Sequence, residues 1–387
     1  CIRDRNSIFQ KGQFIIPDIA SQTGFSVTTI AKYVSELYAE DILEKGDCLK
    51  TNKRGRNPVL YRVKSETYYF LGVDLKPFEL IIGLMNLTGD MVCIERITDF
   101  RFENTHNKLD EICTHISQFM LKFQSQNAGK IAGVNFNIGG RVNSHLGTSA
   151  TIFNFEETRE VPLTLLLNER LGIPVFIEND TKAMAYGEYV SENNASQENV
   201  IYVNIGWGLG MGIMIDGKLY KGKSGFSGEI GHTYGYDNQI ICHCGKKGCV
   251  ETEVSCSALY RKFIEHLQAG ETSIILSEKD IEEITLDDIF SAINREDLLA
   301  IELVEQIGQQ LGFHIGSLIN TFNPDMVIIG GEMSRAGDFL LQPVISAIRK
   351  YTLSLMSRDS EIVLSKLKDQ ACVIGSCLLS RSKLFEA

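Results

Sequence analysis

No apolar run in this sequence approaches the roughly eighteen residues that a membrane span needs, and nothing at the N-terminus reads as a secretory leader. The chain opens at Cys1 without a methionine, which leaves open whether its true start is present. Positive charge is in deficit: 38 Lys and Arg face 49 Asp and Glu, a net −11, and that balance argues against a general affinity for nucleic acid. No long flexible linker is visible where the composition changes at Tyr68. Of ten cysteines, most stand alone in apolar stretches, which suggests reduced thiols in a cytoplasm. With 44% hydrophobic and 22% charged residues the composition is that of an ordinary soluble protein, and 387 residues suffice for two or three domains with a large core.

The charge deficit is uneven. Residues 1–66 hold eleven Lys/Arg against eight Asp/Glu, a net +3, so the remainder carries −14. A small basic module on a large acidic body suits local contact with DNA. Ile2–Lys11 reads as a first helix ending near Gly12, and Ile16–Gln22 as a second, with Pro17 early, where its missing N–H costs little. After a Thr23-Gly24-Phe25 turn, Ser26 caps a third helix over 27–37, with Ile30, Val34 and Leu37 on one face and Thr28, Thr29, Lys32 and Ser35 outward. Helix, glycine turn and helix is the helix-turn-helix arrangement. Ile42–Gly46 and Leu60–Val63 follow as a hairpin. Its tip carries Lys53, Arg54 and Arg56 around a glycine, which suits a narrow, electronegative minor groove. Thr28, Thr29 and Lys32 are candidates for the major groove of double-stranded operator DNA, and Arg54 and Arg56 for phosphate or minor-groove contacts. The plainer alternative is a three-helix packing module with a solvated charged loop.

From Tyr68 the pattern changes to strands alternating with helices. Strands are expected over 69–75, 80–87 and 91–97, a helix over 109–123, a strand over 131–138, a helix over 161–171, a strand over 175–178 and a helix over 181–190. The order then recurs: strand 200–205, glycine-rich 206–212, strand 213–215 and an Asp216-Gly217 hairpin turn. Helices over 255–266 and 299–322, strand 326–329, helix 340–351, strand 362–364 and a closing helix complete it. Residues 270–298, acidic and polar, read as short surface helices. Two similar α/β lobes are implied, with domains at 1–66, 67–190 and 191–387.

The densest chemistry lies in Ser227–Thr252, SGEIGHTYGYDNQIICHCGKKGCVET. His232, Cys242, Cys244 and Cys249 are one imidazole and three thiols at tight spacing, with glycines where the chain must turn. That is the ligand set of a closed, structural zinc site; unrelated thiols and a disulfide are the alternatives. Glu229 and Glu251 are interleaved carboxylates that zinc does not need. A braced loop would present them, with part of the His232 ring, to something small and rich in hydroxyls.

These residues together resemble the ROK family (repressors, open reading frames and sugar kinases), over nearly the whole chain. The most specific elements are Gly228-Glu229-Ile230-Gly231-His232, the run Cys-His-Cys-Gly-Lys-Lys-Gly-Cys-Val-Glu-Thr at 242–252, and Glu178-Asn179-Asp180 opening a helix. The resemblance implies an N-terminal winged helix-turn-helix and a two-lobed actin/hexokinase-like (ribonuclease H-like) sugar-kinase body. It implies that Asn179, Asp180, Glu229, His232 and Glu251 bind sugar hydroxyls, that Asp180 is the general base in members that phosphorylate, and that His232 and the three cysteines hold zinc. Gly139 and Asn154 resemble further sugar-pocket positions. Chemistry agrees, since carboxylates and amides clamp vicinal hydroxyls and reject analogues lacking them. For Asn179-Asp180 a simple helix cap is the plainer alternative.

Phosphoryl transfer needs a cradle of backbone N–H groups. Sugar kinases of the family carry Asp-Gly-Gly-Thr-Lys after the first strand, where this chain has Asp74-Leu75-Lys76-Pro77-Phe78; both glycines are gone and proline removes a donor. Their second phosphate loop, Gly-Thr-Gly-x-Gly, is here Gly206-Trp207-Gly208-Leu209-Gly210, with the only tryptophan in place of the threonine hydroxyl. No ATP use and no catalysis are therefore expected. The reading is a sugar-responsive repressor of carbohydrate-utilisation genes, cytoplasmic, binding a sugar or sugar-phosphate effector and operator DNA as a homodimer or homotetramer. Two rivals stand beside it: an ATP-dependent sugar kinase, glucokinase-like, with an accessory DNA-binding domain, and an interaction module with a vestigial pocket.

Overall fold

The computed structural model describes residues 12–48, 58–191 and 197–384. By contacts the chain forms two compact units: one runs to Ala183 and takes in the chain from Cys372, and the other is Met184–Ala371. No helix among the described residues is long and apolar enough to cross a membrane.

The first unit opens with β1 (Gln13–Phe14), α1 (Ile16–Thr23), α2 (Val27–Ala39), β2 (Leu43–Cys48) and β3 (Val59–Val63), the expected winged helix-turn-helix. Gly24 ends α1 in the left-handed conformation (φ 73°) and its N–H returns to the Ala20 carbonyl. Ser26 caps α2, its hydroxyl accepting from Thr29 N at 3.1 Å. Ile30, Val34 and Leu37 are buried among Phe14, Ile19, Leu43 and Val63, and the same core includes Phe70 and Leu87. The module is thus seated on the lobe that follows it by shared apolar packing. Its sheet runs β1-β3-β2; β1, which pairs antiparallel with β3, is absent from the sequence reading. The helix expected over 2–11 and the wing tip with Arg54 and Arg56 lie outside the described residues.

The first lobe comprises β4 (Tyr68–Lys76), β5 (Glu79–Asn86), β6 (Met91–Ile97), α3 (His106–Gln124), β7 (Lys130–Ile138), a small hairpin of β8 (Val142–Asn143) and β9 (Thr148–Ser149), α4 (Glu156–Glu160), α5 (Leu163–Leu171) and β10 (Val175–Asn179). Then α6 (Asp180–Ser191) leads to the second: β11 (Val200–Ile205), β12 (Leu209–Ile215), β13 (Lys218–Leu219), α7 (Cys256–Gln268), α8 (Leu286–Asn294), α9 (Leu298–Phe322), β14 (Met326–Gly330), α10 (Asp338–Tyr351), α11 (Met356–Asp359) and β15 (Glu361–Leu364), before the closing α12 (Ala371–Leu384). The sheets run β10-β7-β4-β5-β6 and β13-β12-β11-β14-β15. In each, three consecutive strands pair antiparallel and two later strands add in parallel beside the first. The same topology appears twice, as an actin/hexokinase-like body requires.

Two larger features also differ from the sequence reading. The closing helix, read as part of 191–387, groups with the first unit. Gly72 and Gly83 face each other on β4 and β5, and a Cβ on either would stand 2.6 Å from Cys377 N or Val373 Cγ2; these glycines let α12 sit directly on the strands. Residues 270–298 are also more than surface, since Ile275, Ile284, Ile289, Phe290 and Ile293 enter the core of the second unit. The acidic residues between them conceal that apolar face.

Candidate functional site

In the second unit the loop from β13 to α7 carries the four expected metal ligands. Two isolated bridges, Tyr234 to Cys249 and Ile241 to Lys247, fold the loop back on itself, and Cys242 N bonds to Lys246 O at 2.8 Å across the tight turn. Cys242 Sγ lies 3.5 Å from His232 Nδ1, and Cys244 and Cys249 hold their sulfurs 3.6 Å apart. All four donor atoms lie within 4.8 Å of one another, so the cluster could bind a metal ion. The sulfur separation exceeds the roughly 2.05 Å of a disulfide, and all three residues are thiols. Burial pushes the Cys242 thiol up to about 12, a cost that a bound cation would reverse by holding the thiolate.

The interleaved carboxylates stand beside this cluster. His232 turns its other nitrogen, Nε2, to Glu229 Oε2 at 3.8 Å. Glu251 is buried: Oε2 accepts from Leu209 N at 2.9 Å, while Oε1 lies 2.8 Å from His243 Nδ1 and accepts from Cys242 Sγ at 3.5 Å. His243 had no role in the sequence reading; a histidine between two cysteine ligands offers no signal of its own. Gly208 crosses over Glu251, and a Cβ there would stand 2.6 Å from Oε2.

In the first unit, Asn179 and Asp180 join β10 to α6. Asn179 Oδ1 accepts from Lys182 N at 3.1 Å and its amide donates to Gly140 O and to Asp180 Oδ1, both at 3.0 Å. Asp180 Oδ1 also accepts from Thr181 N at 2.7 Å. The helix-cap role is therefore present; it leaves Asp180 Oδ2 facing Gly139, whose Cβ would be 3.7 Å away. Burial pushes the Asp180 carboxyl up to about 6, against the Thr181 N–H bond and with help from the charge of Asp74. Asp74 itself is buried and raised by desolvation. Cys372 Sγ donates to its Oδ1 at 3.1 Å, and its Oδ2 has no hydrogen-bond partner. Asn137 joins the same group through Cys372 O at 2.7 Å. Asn154 is exposed, with its amide on Ala150 O at 3.3 Å.

On α2, Thr28 and Lys32 are exposed and Thr29 half-buried. Both threonine hydroxyls turn back to Ser26 Oγ, at 2.7 and 2.8 Å.

The ROK family model matches residues 70–383. The xylose repressor of Caldicellulosiruptor bescii is 29% identical over 358 residues, covering 92% of this chain and 89% of the repressor. The glucokinase of Halalkalibacterium halodurans is 30% identical over 315 residues, covering 79% of this chain and 93% of the kinase. Among solved structures, a ROK family transcriptional regulator, homologous to the Mlc protein of E. coli, aligns with a TM-score of 0.82 at 26% identity, over 99% of this chain and 97% of that one.

Proposed function

The chain belongs to the ROK family, and from that premise we propose that it is a sugar-responsive, DNA-binding transcriptional regulator, a repressor of carbohydrate-utilisation genes. Coverage carries the reading. An alignment of 358 residues with a repressor is longer than the lobes alone and reaches into the winged module, whereas 315 residues shared with a glucokinase fit within the lobes.

In this reading Asn154, Asn179, Asp180, Glu229, His232 and Glu251 bind the hydroxyls of a sugar or sugar phosphate. His232, Cys242, Cys244 and Cys249 hold a structural zinc ion. A tetrahedral zinc with bonds of about 2.3 Å to sulfur and 2.05 Å to nitrogen separates two sulfurs by about 3.8 Å and sulfur from nitrogen by about 3.5 Å. The observed 3.6 and 3.5 Å fit that shell. Zinc supplies no reaction chemistry in a closed site of this kind; it fixes the loop.

Two observations support an absence of ATP use. The β4–β5 ladder continues to the Lys76–Glu79 pair, leaving a two-residue turn of Pro77, which has no N–H, and Phe78, which is 68% exposed. At the second loop, the first N–H groups of α7 are taken by the loop itself: Cys256 N by Gly206 O at 2.9 Å and Ser257 N by Trp207 O at 3.4 Å. Helix N-termini bind phosphate through such groups only when they are free.

The chain acts in the cytoplasm as a dimer or dimer of dimers, because two half-sites about 34 Å apart need two helix-turn-helix modules. Thr28, Thr29 and Lys32 enter the major groove, and Arg54 and Arg56 contact phosphate or the minor groove. The test is fluorescence anisotropy of the full chain on duplexes selected from a random pool, titrated with free and phosphorylated sugars. Selection of a two-fold symmetric site released by one sugar supports the reading. Binding no duplex above the non-specific level overturns it, as does ATP-dependent sugar phosphorylation that vanishes in Asp180→Asn.

A further inference from the structure

Trp207, the only tryptophan, is 61% exposed on the turn between β11 and β12. The turn is pinned from behind by α7, whose Cys256 and Ser257 N–H groups bond to it and whose N-cap, Ser255, accepts from Ala258 N at 3.1 Å. One turn along α7, the Tyr260 ring lies 6.2 Å from the indole, centroid to centroid, tilted by 45°. Tyr260 is anchored by its hydroxyl, which donates to Ile284 O at 3.2 Å. The indole therefore has a fixed backing and an open face. On the other side of a single residue, Gly208, lies the Glu251 carboxylate, close enough that a Cβ at 208 would touch it at 2.6 Å.

We propose that Trp207 is a stacking shelf for a second sugar ring, and that the effector is a disaccharide or larger glycoside. This rests on the reading of Glu251 as a sugar-binding group. A pyranose presents hydroxyls around its edge and C–H groups on its face. With the edge of one ring held by the carboxylate, the face of the next ring meets a flat, polarisable, apolar surface, and both lose apolar area to water. A phosphate does not suit the same spot. The adjacent carboxylate and the negative face of the indole both repel it, and the N–H groups of α7 are already bonded.

Because there is one tryptophan, its emission reports on this loop alone. The full chain is titrated with glucose and xylose, with cellobiose, maltose and xylobiose, and with glucose 6-phosphate and AMPPNP, and thermal shifts are read in parallel. At least one disaccharide is expected to change the emission and to bind about tenfold more tightly than its monosaccharide, the scale of one aromatic stacking contact. Trp207→Ala is expected to weaken the disaccharide about tenfold more than the monosaccharide, and Trp207→Phe to restore part of the difference. If monosaccharides bind as tightly as every disaccharide and Trp207→Ala alters both equally, the shelf is wrong while the sugar reading stands. An emission change with AMPPNP in place of sugar also overturns the shelf. Stabilisation by no sugar overturns the sugar reading and the shelf with it.

Discussion

Asp180→Asn should make the protein more stable at pH 8. Burial raises the Asp180 carboxyl from its usual 3.8 to about 6, so the folded chain binds that proton more tightly than the unfolded chain does. The stabilisation from the bound proton is fully present below about pH 4 and is lost as pH rises to about 6; above that, the ionised group is a constant cost. A gap of this size corresponds to about 3 kcal/mol at 1.36 kcal/mol per pH unit, and solvent screening of a half-buried group reduces it to about 1–2 kcal/mol. Asparagine keeps the oxygen that accepts from Thr181 N at 2.7 Å and Asn179 Nδ2 at 3.0 Å and removes only the charge, which also relieves the repulsion from Asp74. Urea unfolding followed by far-ultraviolet circular dichroism should therefore show the variant about 1–2 kcal/mol more stable at pH 8. The gain should shrink to about a third near pH 4.5. A variant no more stable than wild type at pH 8, or equally stabilised at both pH values, would refute the reasoning. Weaker sugar binding alongside greater stability is the expected mark of a residue kept for function.

Cys244→Ser is expected to reduce bound zinc from about one ion per chain to near none, measured by mass spectrometry of the metal. Lys32→Ala, at an exposed position of α2, should weaken operator binding and relax discrimination at one base pair by about 1–3 kcal/mol, with thermal unfolding little changed; discrimination that stays the same counts against that contact. Gly312→Ala places a Cβ 2.5 Å from Val344 O and 2.6 Å from Ala347 Cβ, where α9 crosses α10. Overpacking of about 1–3 kcal/mol outweighs the gain of up to about 1 kcal/mol in helix propensity, so calorimetry should show a lower melting temperature; a higher one would mean the helices are not so close.

What was legible in the sequence was local. Ser26 capping α2, the buried face of Ile30, Val34 and Leu37, and the Asp216-Gly217 turn, with φ of 51° and 68°, follow from the chemistry of a few neighbouring residues. The convergence of His232, Cys242, Cys244 and Cys249 was legible because these donors lie close together in the chain. Cys372 against Asp74 was not, since 298 positions separate them and neither has a periodic pattern to announce the pairing. Gly308, Gly312 and Gly316 read only as part of a long helix. Their meaning lies in Leu340, Val344 and Thr352, the residues they approach. A strand of two residues such as β1 carries no periodicity at all, and in α8 the acidic residues outweighed an apolar face of Ile289, Phe290 and Ile293 that helical spacing contains.

A metal held at the cluster would bear on Glu251 more than on the fold of its lobe. The loop is held by its two backbone bridges, but Tyr234 and Ile241 are 73% and 69% exposed, and fixing each backbone residue costs about 1–2 kcal/mol. Four protein–metal bonds would add to those bridges in offsetting that cost. The second unit's apolar core is built mostly from other residues, Val250 and Val254 being the loop's buried members of it. Glu251, by contrast, follows Cys249 by two residues and is oriented by His243 at 2.8 Å, itself between the candidate ligands Cys242 and Cys244. Removing one thiolate therefore loosens His243 first, then Glu251, and the core last. Cys244→Ser should accordingly lose sugar affinity by more than it loses global stability, measured side by side by titration and urea unfolding. A variant that unfolds early yet binds sugar as wild type does would make the metal a brace for the lobe instead.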